Sequence, residues 1–332
     1  MLIPTTVKIQ RSRGYTFAVG RIRVLESRLL EASIFYQLAD SRSIEEIESI
    51  LGTSSYAKGV STSSTASRLF IDFEEFLDRE EIDSLNLIRD LSKDSRFIMP
   101  FFYKRDFHNL KLVVKSKVAH VENQWVKEGS VPVETVLGAI EEQNPSLLPE
   151  PFRTYGEEAQ AMYEQKGRWQ MIDVFLDNRL YEEIFKVTES LSFLEGLFRR
   201  EVDMLNIRNF ILCKRRNLNR GVFAPLLVKG GMLEEGLLGE MYEGGVDKLA
   251  EKLKFTPYAL LSEDGIPYFK ETGRFFKVEQ NCDSLLLDYV SFAKYTAFGY
   301  EPLIRYLFLK INELKNLRII FVGKQNGAYP EE

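Results

Sequence analysis

Apolar residues recur along this chain at intervals of three and four, the period of one face of an α-helix. "IRVLESRLLEASIFYQLA" (from Ile22), "SIEEIESIL" (from Ser43), "FEEFLDREEIDSLNLIRDL" (from Phe73), "PVETVLGAIEEQ" (from Pro132) and "LFRREVDMLNIRNFILCKR" (from Leu197) all show it. Strand-like alternation between hairpin turn residues is hard to find, and prolines number only 11, so the pattern predicts an all-α protein. Two stretches interrupt it. "GTSSYAKGVSTSSTAS" (Gly52 to Ser67) lacks the GxxxxGK[ST] spacing of a phosphate loop and reads as a flexible loop. "NLNRGVFAPLLVKGG" (Asn217 to Gly231) reads as a break between modules.

One amphipathic frame is written three times. Aligned on Asp106, Asp203 and Glu313, the copies place Asn109, Asn206 and Asn316 three residues later. Leu110, Ile207 and Leu317 follow, and then Lys111, Arg208 and Arg318. Phe101, Phe198 and Phe308 stand five before the acid; Lys117, Lys214 and Lys324 stand eleven after it. Agreement in one register at this many positions implies an internal triplication, with helical repeats at residues 1–120, 121–220 and 221–332. A period near 100 residues is far longer than the roughly 20–50 of solenoid repeats, so the copies are domain-sized.

Helix geometry assigns the frame a task. At about 100° per residue, the acid, the apolar positions four, seven and eight later, and the final lysine share one stripe. The acid and the lysine are about 16 Å apart along the axis, too far to pair with each other. Each must therefore find a partner on another segment or in water, because an unpaired buried charge is unfavourable. The acid and asparagine, three apart, read as an anchor that hydrogen-bonds a neighbouring helix of the same module. Other features repeat in phase: "LFIDFEEFLD", "MIDVFLD" and "CDSLLLD" end at Asp78, Asp177 and Asp288, 25 to 28 residues ahead of each acid. "LGTSSYA" (Leu51, Tyr56, Ala57) returns as "LKFTPYA" (Leu253, Tyr258, Ala259).

Composition narrows the class. Of 332 residues 45% are hydrophobic and 28% charged, an ordinary globular balance, and the net charge of −5 argues against a nucleic-acid partner. Cys213 and Cys282 are the only cysteines and are expected as small buried hydrophobes in a reducing compartment. The N-terminus has no apolar region of signal-peptide length, and no apolar run approaches the roughly 20 residues that span a bilayer. Of the two histidines, His108 lies inside the first frame but faces no counterpart in Leu205 or Lys315, and His120 lies beyond it.

In order and spacing these motifs resemble the C subunit of prokaryotic V-type (A-type) ATPases, whose eukaryotic relative is the d subunit of the V-ATPase. The resemblance opens with "GYTFAVGRIRVLESRLLEASIFYQLADSRSIEEIESILGTSSYAKGV" and continues through "RDFHNLKLVVKSK", "IDVFLDNRLYEEI", "VDMLNIRNFILCKRR" and "VKGGMLEEGLL". It closes with "GYEPLIRYLFLKINELKNLRIIFVGKQNG", after which the family runs into a short final helix where this chain reads "AYPEE". It implies a three-module, all-helical funnel or socket of pseudo-threefold symmetry with no catalytic site, metal or cofactor. The implied partners are the D and F subunits of the central stalk and the membrane proteolipid ring, between which torque passes to drive H⁺ or Na⁺ transport. The implied location is cytoplasmic, peripheral on the membrane through the ATPase complex. Two other classes remain in view: a generic helical scaffold of another complex, and a Mg²⁺-dependent helical enzyme built on Asp173 and Asp177. The enzyme reading is weakened by acid spacings that drift from six (Asp72/Asp78) to four (Asp173/Asp177) and five (Asp283/Asp288).

Overall fold

The computed structural model describes residues 13–57, 73–92, 94–116, 126–166 and 170–327. Most of the Ser/Thr loop, Asp72, Lys117, His120 and the closing "AYPEE" lie outside these. Among the described residues the regular elements are helices and no strand occurs. In chain order they begin with α1 (Thr16–Glu26), α2 (Ala32–Asp40), α3 (Ile44–Gly52) and α4 (Phe73–Leu91). Next come α5 (Met99–Ser116), α6 (Val133–Glu141), α7 (Phe152–Lys166), α8 (Gln170–Thr188) and α9 (Ser192–Arg215). After a short helical turn follow α10 (Glu235–Met241), α11 (Gly245–Leu253), α12 (Ile266–Thr272), α13 (Phe276–Ser291) and α14 (Glu301–Gln325).

The chain divides into two compact units, one built on Arg96–Phe292 and the other joining Gln10–Ser95 to Ala293–Glu332. The first two frames, on α5 and α9, belong to the former; the third, on α14, belongs to the latter.

In the Arg96–Phe292 unit, α9 is buried on most of its circumference. Leu194, Leu197, Phe198, Val202, Ile207, Phe210 and Ile211 are all removed from solvent. Phe210 meets Phe223 and Tyr242 edge-on at 5.3 and 5.1 Å, and those two rings stack at 4.4 Å, filling the space below the frame. Cys213 and Cys282 are buried and unbridged. Gly273, with φ of +68°, ends α12 in the left-handed conformation that glycine adopts without penalty.

In the other unit, Leu314, Leu317 and Phe321 of α14 form a core with Leu38, Ile47, Leu51, Tyr56, Phe73 and Leu77. That core exists only because the beginning and end of the chain meet. Ser43 starts α3 as its N-cap, accepting from the Glu46 N–H at 3.2 Å. Pro302 occupies the first turn of α14, where its missing N–H removes no helical bond.

Each frame helix packs antiparallel against one long partner. Lys111 and Lys115 of α5 meet Asp177 and Asp173 of α8 at 2.6 and 2.7 Å. Arg208 of α9 meets Asp283 of α13 at 3.3 Å, and Arg318 of α14 meets Glu74 of α4 at 3.0 Å. The cation five residues after the frame acid thus pairs in all three copies. Its partner never comes from the helix just ahead of the same frame. The first frame takes the helix ahead of the second, the second takes the helix ahead of the third, and the third takes α4, ahead of the first.

Candidate functional site

The three frame acids are all buried. Asp106 Oδ1 accepts the backbone N–H groups of Ser130 at 2.8 Å and Val131 at 3.1 Å, while Oδ2 accepts the Ser130 hydroxyl at 2.5 Å. Asn109 binds the Lys127 backbone with both ends of its amide: Oδ1 accepts from N–H at 2.9 Å and Nδ2 donates to C=O at 2.7 Å. The second clasp repeats this. Asp203 accepts the Met232 and Leu233 N–H groups, each at 3.0 Å, and the Tyr258 hydroxyl at 2.5 Å. Asn206 grips Val228 at both N–H and C=O, at 2.9 and 2.8 Å.

The third clasp is assembled from the two ends of the chain. Glu313 accepts the Leu30 N–H at 2.5 Å on one oxygen and the Tyr56 hydroxyl at 2.5 Å on the other. Lys310 completes it, donating to the Tyr56 oxygen at 2.7 Å and lying 3.3 Å from Glu313 and 3.2 Å from Glu80. In every clasp the acid takes the N–H of the residue two before a helix: Val131 before α6, Leu233 before α10, Leu30 before α2.

The sequence leads one to expect the acid and asparagine to grip a neighbouring helix. They grip instead the non-helical segment leading into a helix, and in all three copies that segment lies outside the predicted repeat that holds the acid. The buried Val131 and Leu233 N–H groups would otherwise be unsatisfied. Glycines make the approach possible. A Cβ on Gly129 would lie 2.1 Å from Asp106 Oδ1, and one on Gly231 would lie 2.1 Å from Asp203 Oδ1. "KEGSV" and "KGGML" carry that signal, and sequence reasoning passed over the pairing.

The remaining frame residues differ among copies. Phe101 and Phe198 are buried and meet edge-on at 5.8 Å, with the Lys104 ammonium 5.1 Å above the Phe198 ring and 2.6 Å from Glu201. Phe308 is only half-buried. Asn316 is also half-buried and, among the described residues, forms no two-sided backbone grip like those of Asn109 and Asn206. Lys324 donates to the Ala39 and Ser41 carbonyls at 2.5 and 2.8 Å, capping the end of α2. Lys214 sits 3.8 Å over the Tyr242 ring.

Burial sets the electrostatics. It pushes the Asp203 carboxyl up to about 6, against the pull of the Tyr258 hydroxyl, two backbone N–H groups and Arg200. Asp106 is raised for the same reason, against Ser130 and the Val131 N–H. The Tyr56 and Tyr258 hydroxyls are raised well beyond the ordinary tyrosine range, first by burial and then by the acid each one bonds. They are permanent donors.

Asp173 and Asp177 each hold a lysine ammonium within 2.7 Å, so their charges serve a helix–helix contact. Among the described residues no cluster of three His, Cys, Asp or Glu side chains could hold a metal. No described helix is long and apolar enough to cross a membrane.

Three helix-to-segment clasps, with their charges directed inward, characterise a structural component. Comparison with known proteins agrees: the family described as "ATP synthase (C/AC39) subunit" matches residues 18–332, and the chain belongs to it. This is a family of non-catalytic subunits of rotary ATPases. The chain is 24% identical to the C subunit of the V-type sodium ATPase of Enterococcus hirae over 310 residues, covering 92% of each. It is 23% identical to the C subunit of the A-type ATP synthase of Methanocaldococcus jannaschii, over 96% of this chain and 84% of that one. The corresponding protein of Methanothermobacter thermautotrophicus is 24% identical over 96% of this chain.

Proposed function

We propose that this chain is the central-rotor component joining the D and F subunits of the stalk to the membrane proteolipid ring, and that it carries torque between them during H⁺ or Na⁺ transport. Beyond family membership, one observation supports this. In each copy a long helix is tied to the segment entering another helix by charge-assisted hydrogen bonds, and to an antiparallel partner by an ion pair. Directional, charge-assisted bonds of this kind fix the register between helices and add to the resistance of a close-packed core to sliding. The recurrence at Asp106, Asp203 and Glu313 also supports three repeated modules with boundaries near residues 120 and 220. Attachment to the membrane is then peripheral, through the complex.

The test is affinity purification of the tagged chain from detergent-solubilised native membranes. Stalk subunits and proteolipid are expected to co-purify; recovery with unrelated proteins overturns the reading. Complexes depleted of this chain should hydrolyse ATP in the soluble head yet fail to transport ions. Undiminished ATP-driven transport would refute the torque role.

A further inference from the structure

Beside the second clasp, between α9, α13 and the Pro257–Tyr258 turn, lies a pocket of about 220 Å³. Arg200, only 8% exposed, lines it. One guanidinium nitrogen donates to the Gly196 carbonyl at 2.9 Å, and the group stands 4.2 Å from the centre of the Tyr289 ring. Asp203 acts on Arg200 through space, and no ion pair to Arg200 forms among the described residues. A guanidinium this deep, with apolar Met204 and Leu285 beside it, is under-neutralised.

The third clasp shows what is missing. The two helix pairs share a register: Arg318 meets Glu74 as Arg208 meets Asp283. Eight residues back on the frame helix and six on along its partner, the pairs are Lys310 with Glu80 and Arg200 with Tyr289. Lys310 is neutralised where it stands, by Glu80 at 3.2 Å and Glu313 at 3.3 Å. Phe76, one turn before Glu80, packs edge-on against the Tyr56 ring at 5.7 Å. The second clasp holds Tyr289 and Leu285 in those two places. Tyr289 offers Arg200 a ring face and no carboxylate: its hydroxyl donates instead to the Phe193 carbonyl at 2.9 Å and its ring also stacks on Phe193 at 5.2 Å. A Cβ on Gly196 would lie 2.4 Å from that hydroxyl, so only glycine lets the tyrosine reach across. Leucine for phenylalanine and an uncharged ring for a carboxylate leave an apolar hollow with a cation in its wall.

We propose that this pocket binds an apolar carboxylate. The carboxylate pairs with Arg200, and an aromatic or aliphatic body packs on Tyr258 between Met204 and Leu285, as Glu80 and Phe76 do for Lys310 and Tyr56. Such a group comes either from a small molecule or from a helix bearing an aromatic residue and a glutamate four apart. Exposed Asp288 at the mouth disfavours any second anionic group at the outer end of the ligand.

The experiment titrates the full chain with 3-phenylpropanoate, with its neutral amide, and with a helical peptide carrying Phe and Glu four apart. Binding is followed by the Met204 methyl resonance, assigned through Met204→Leu. A saturable shift is expected with the acid or the peptide, and the tighter of the two identifies the source. The amide should bind at least about tenfold more weakly, and Arg200→Gln should weaken the acid by a similar factor. Asp288→Asn should tighten binding. Leu285→Phe, with its helix content checked by circular dichroism, fills the hollow and should abolish the shift. Equal affinity for acid and amide, undiminished affinity in Arg200→Gln, binding retained by Leu285→Phe, or no saturable shift with either acid or peptide would overturn the proposal.

Discussion

Replacing Gly231 by alanine should break the second clasp, though in a helix interior alanine is the better residue. The new Cβ would stand 2.1 Å from Asp203 Oδ1 and 3.1 Å from its Cγ, where ordinary contact begins near 3.4 Å. Segment and carboxylate must separate by more than 1 Å, which carries the Met232 and Leu233 N–H groups, now at 3.0 Å, out of bonding range. Hydrogen bonds to a charged group contribute about 1.5–3 kcal/mol each, so losing two destabilises the clasp by about 3–6 kcal/mol. Because the chain has two units, a global melt mixes both. Hydrogen exchange of α9 amides isolates the opening that matters. The same substitution in an Asp203→Ala background meets no carboxylate and should lower stability by less than about 1 kcal/mol, a coupling of at least about 2 kcal/mol. Gly138→Ala is the control: it is helical, nothing lies within 4 Å of its Cβ position, and it should stabilise by about 0.5–1 kcal/mol. Additive effects of Gly231→Ala and Asp203→Ala would refute the close-approach argument.

Three further outcomes follow from the clasps. The Asp203 carboxyl, at about 6 when folded against roughly 3.9 unfolded, favours the folded state most below pH 4 and loses that contribution as pH rises through 6. The stability difference between wild type and Asp203→Asn should therefore shift toward wild type by about 2 kcal/mol from pH 7 to pH 4, and a flat difference across that range would show the acid is not held in a desolvated site. Tyr258→Phe should destabilise by about 1.5–3 kcal/mol in chemical denaturation. Tyr56→Phe should cost more, since its oxygen also accepts from Lys310; equal effects would dismiss that network. The isolated chain should neither bind nor hydrolyse ATP, and Asp173→Asn with Asp177→Asn should alter stability alone; nucleotide turnover abolished by that pair would reopen the enzyme reading.

The helices and the frame were legible because both rest on side-chain periodicity. The recurrence of Tyr56 and Tyr258 was legible too, although only the structure shows each hydroxyl bonding its own frame acid. The partner segment was not, because backbone N–H groups are offered by every residue except proline and leave no compositional mark. Gly129 and Gly231 were the available trace. Helix register was also misjudged. Lining up the recurring acids at Asp78, Asp177 and Asp288 is natural by residue type, but packing aligns Glu74, Asp177 and Asp283, a choice fixed by which residue faces the frame cation across the helix pair. The pocket beside Arg200 was hidden for a different reason. It exists by contrast between Leu285 and Phe76, and between Tyr289 and Glu80, and those pairs align only once the register is known.

The clasp between Tyr56 and Glu313 sets a timetable for biosynthesis. The two residues are 257 positions apart, and at about 5–20 residues per second a ribosome needs roughly 10–50 s to travel from one to the other. Throughout that interval Leu38, Ile47, Leu51 and Leu77 have been synthesised, but the α14 side chains that cover them have not. Arg96–Phe292, continuous in sequence, can condense as it leaves the exit tunnel. Helices α2 to α4 thus stay uncovered until α14 has been made, an interval in which their apolar faces are open to a holding chaperone.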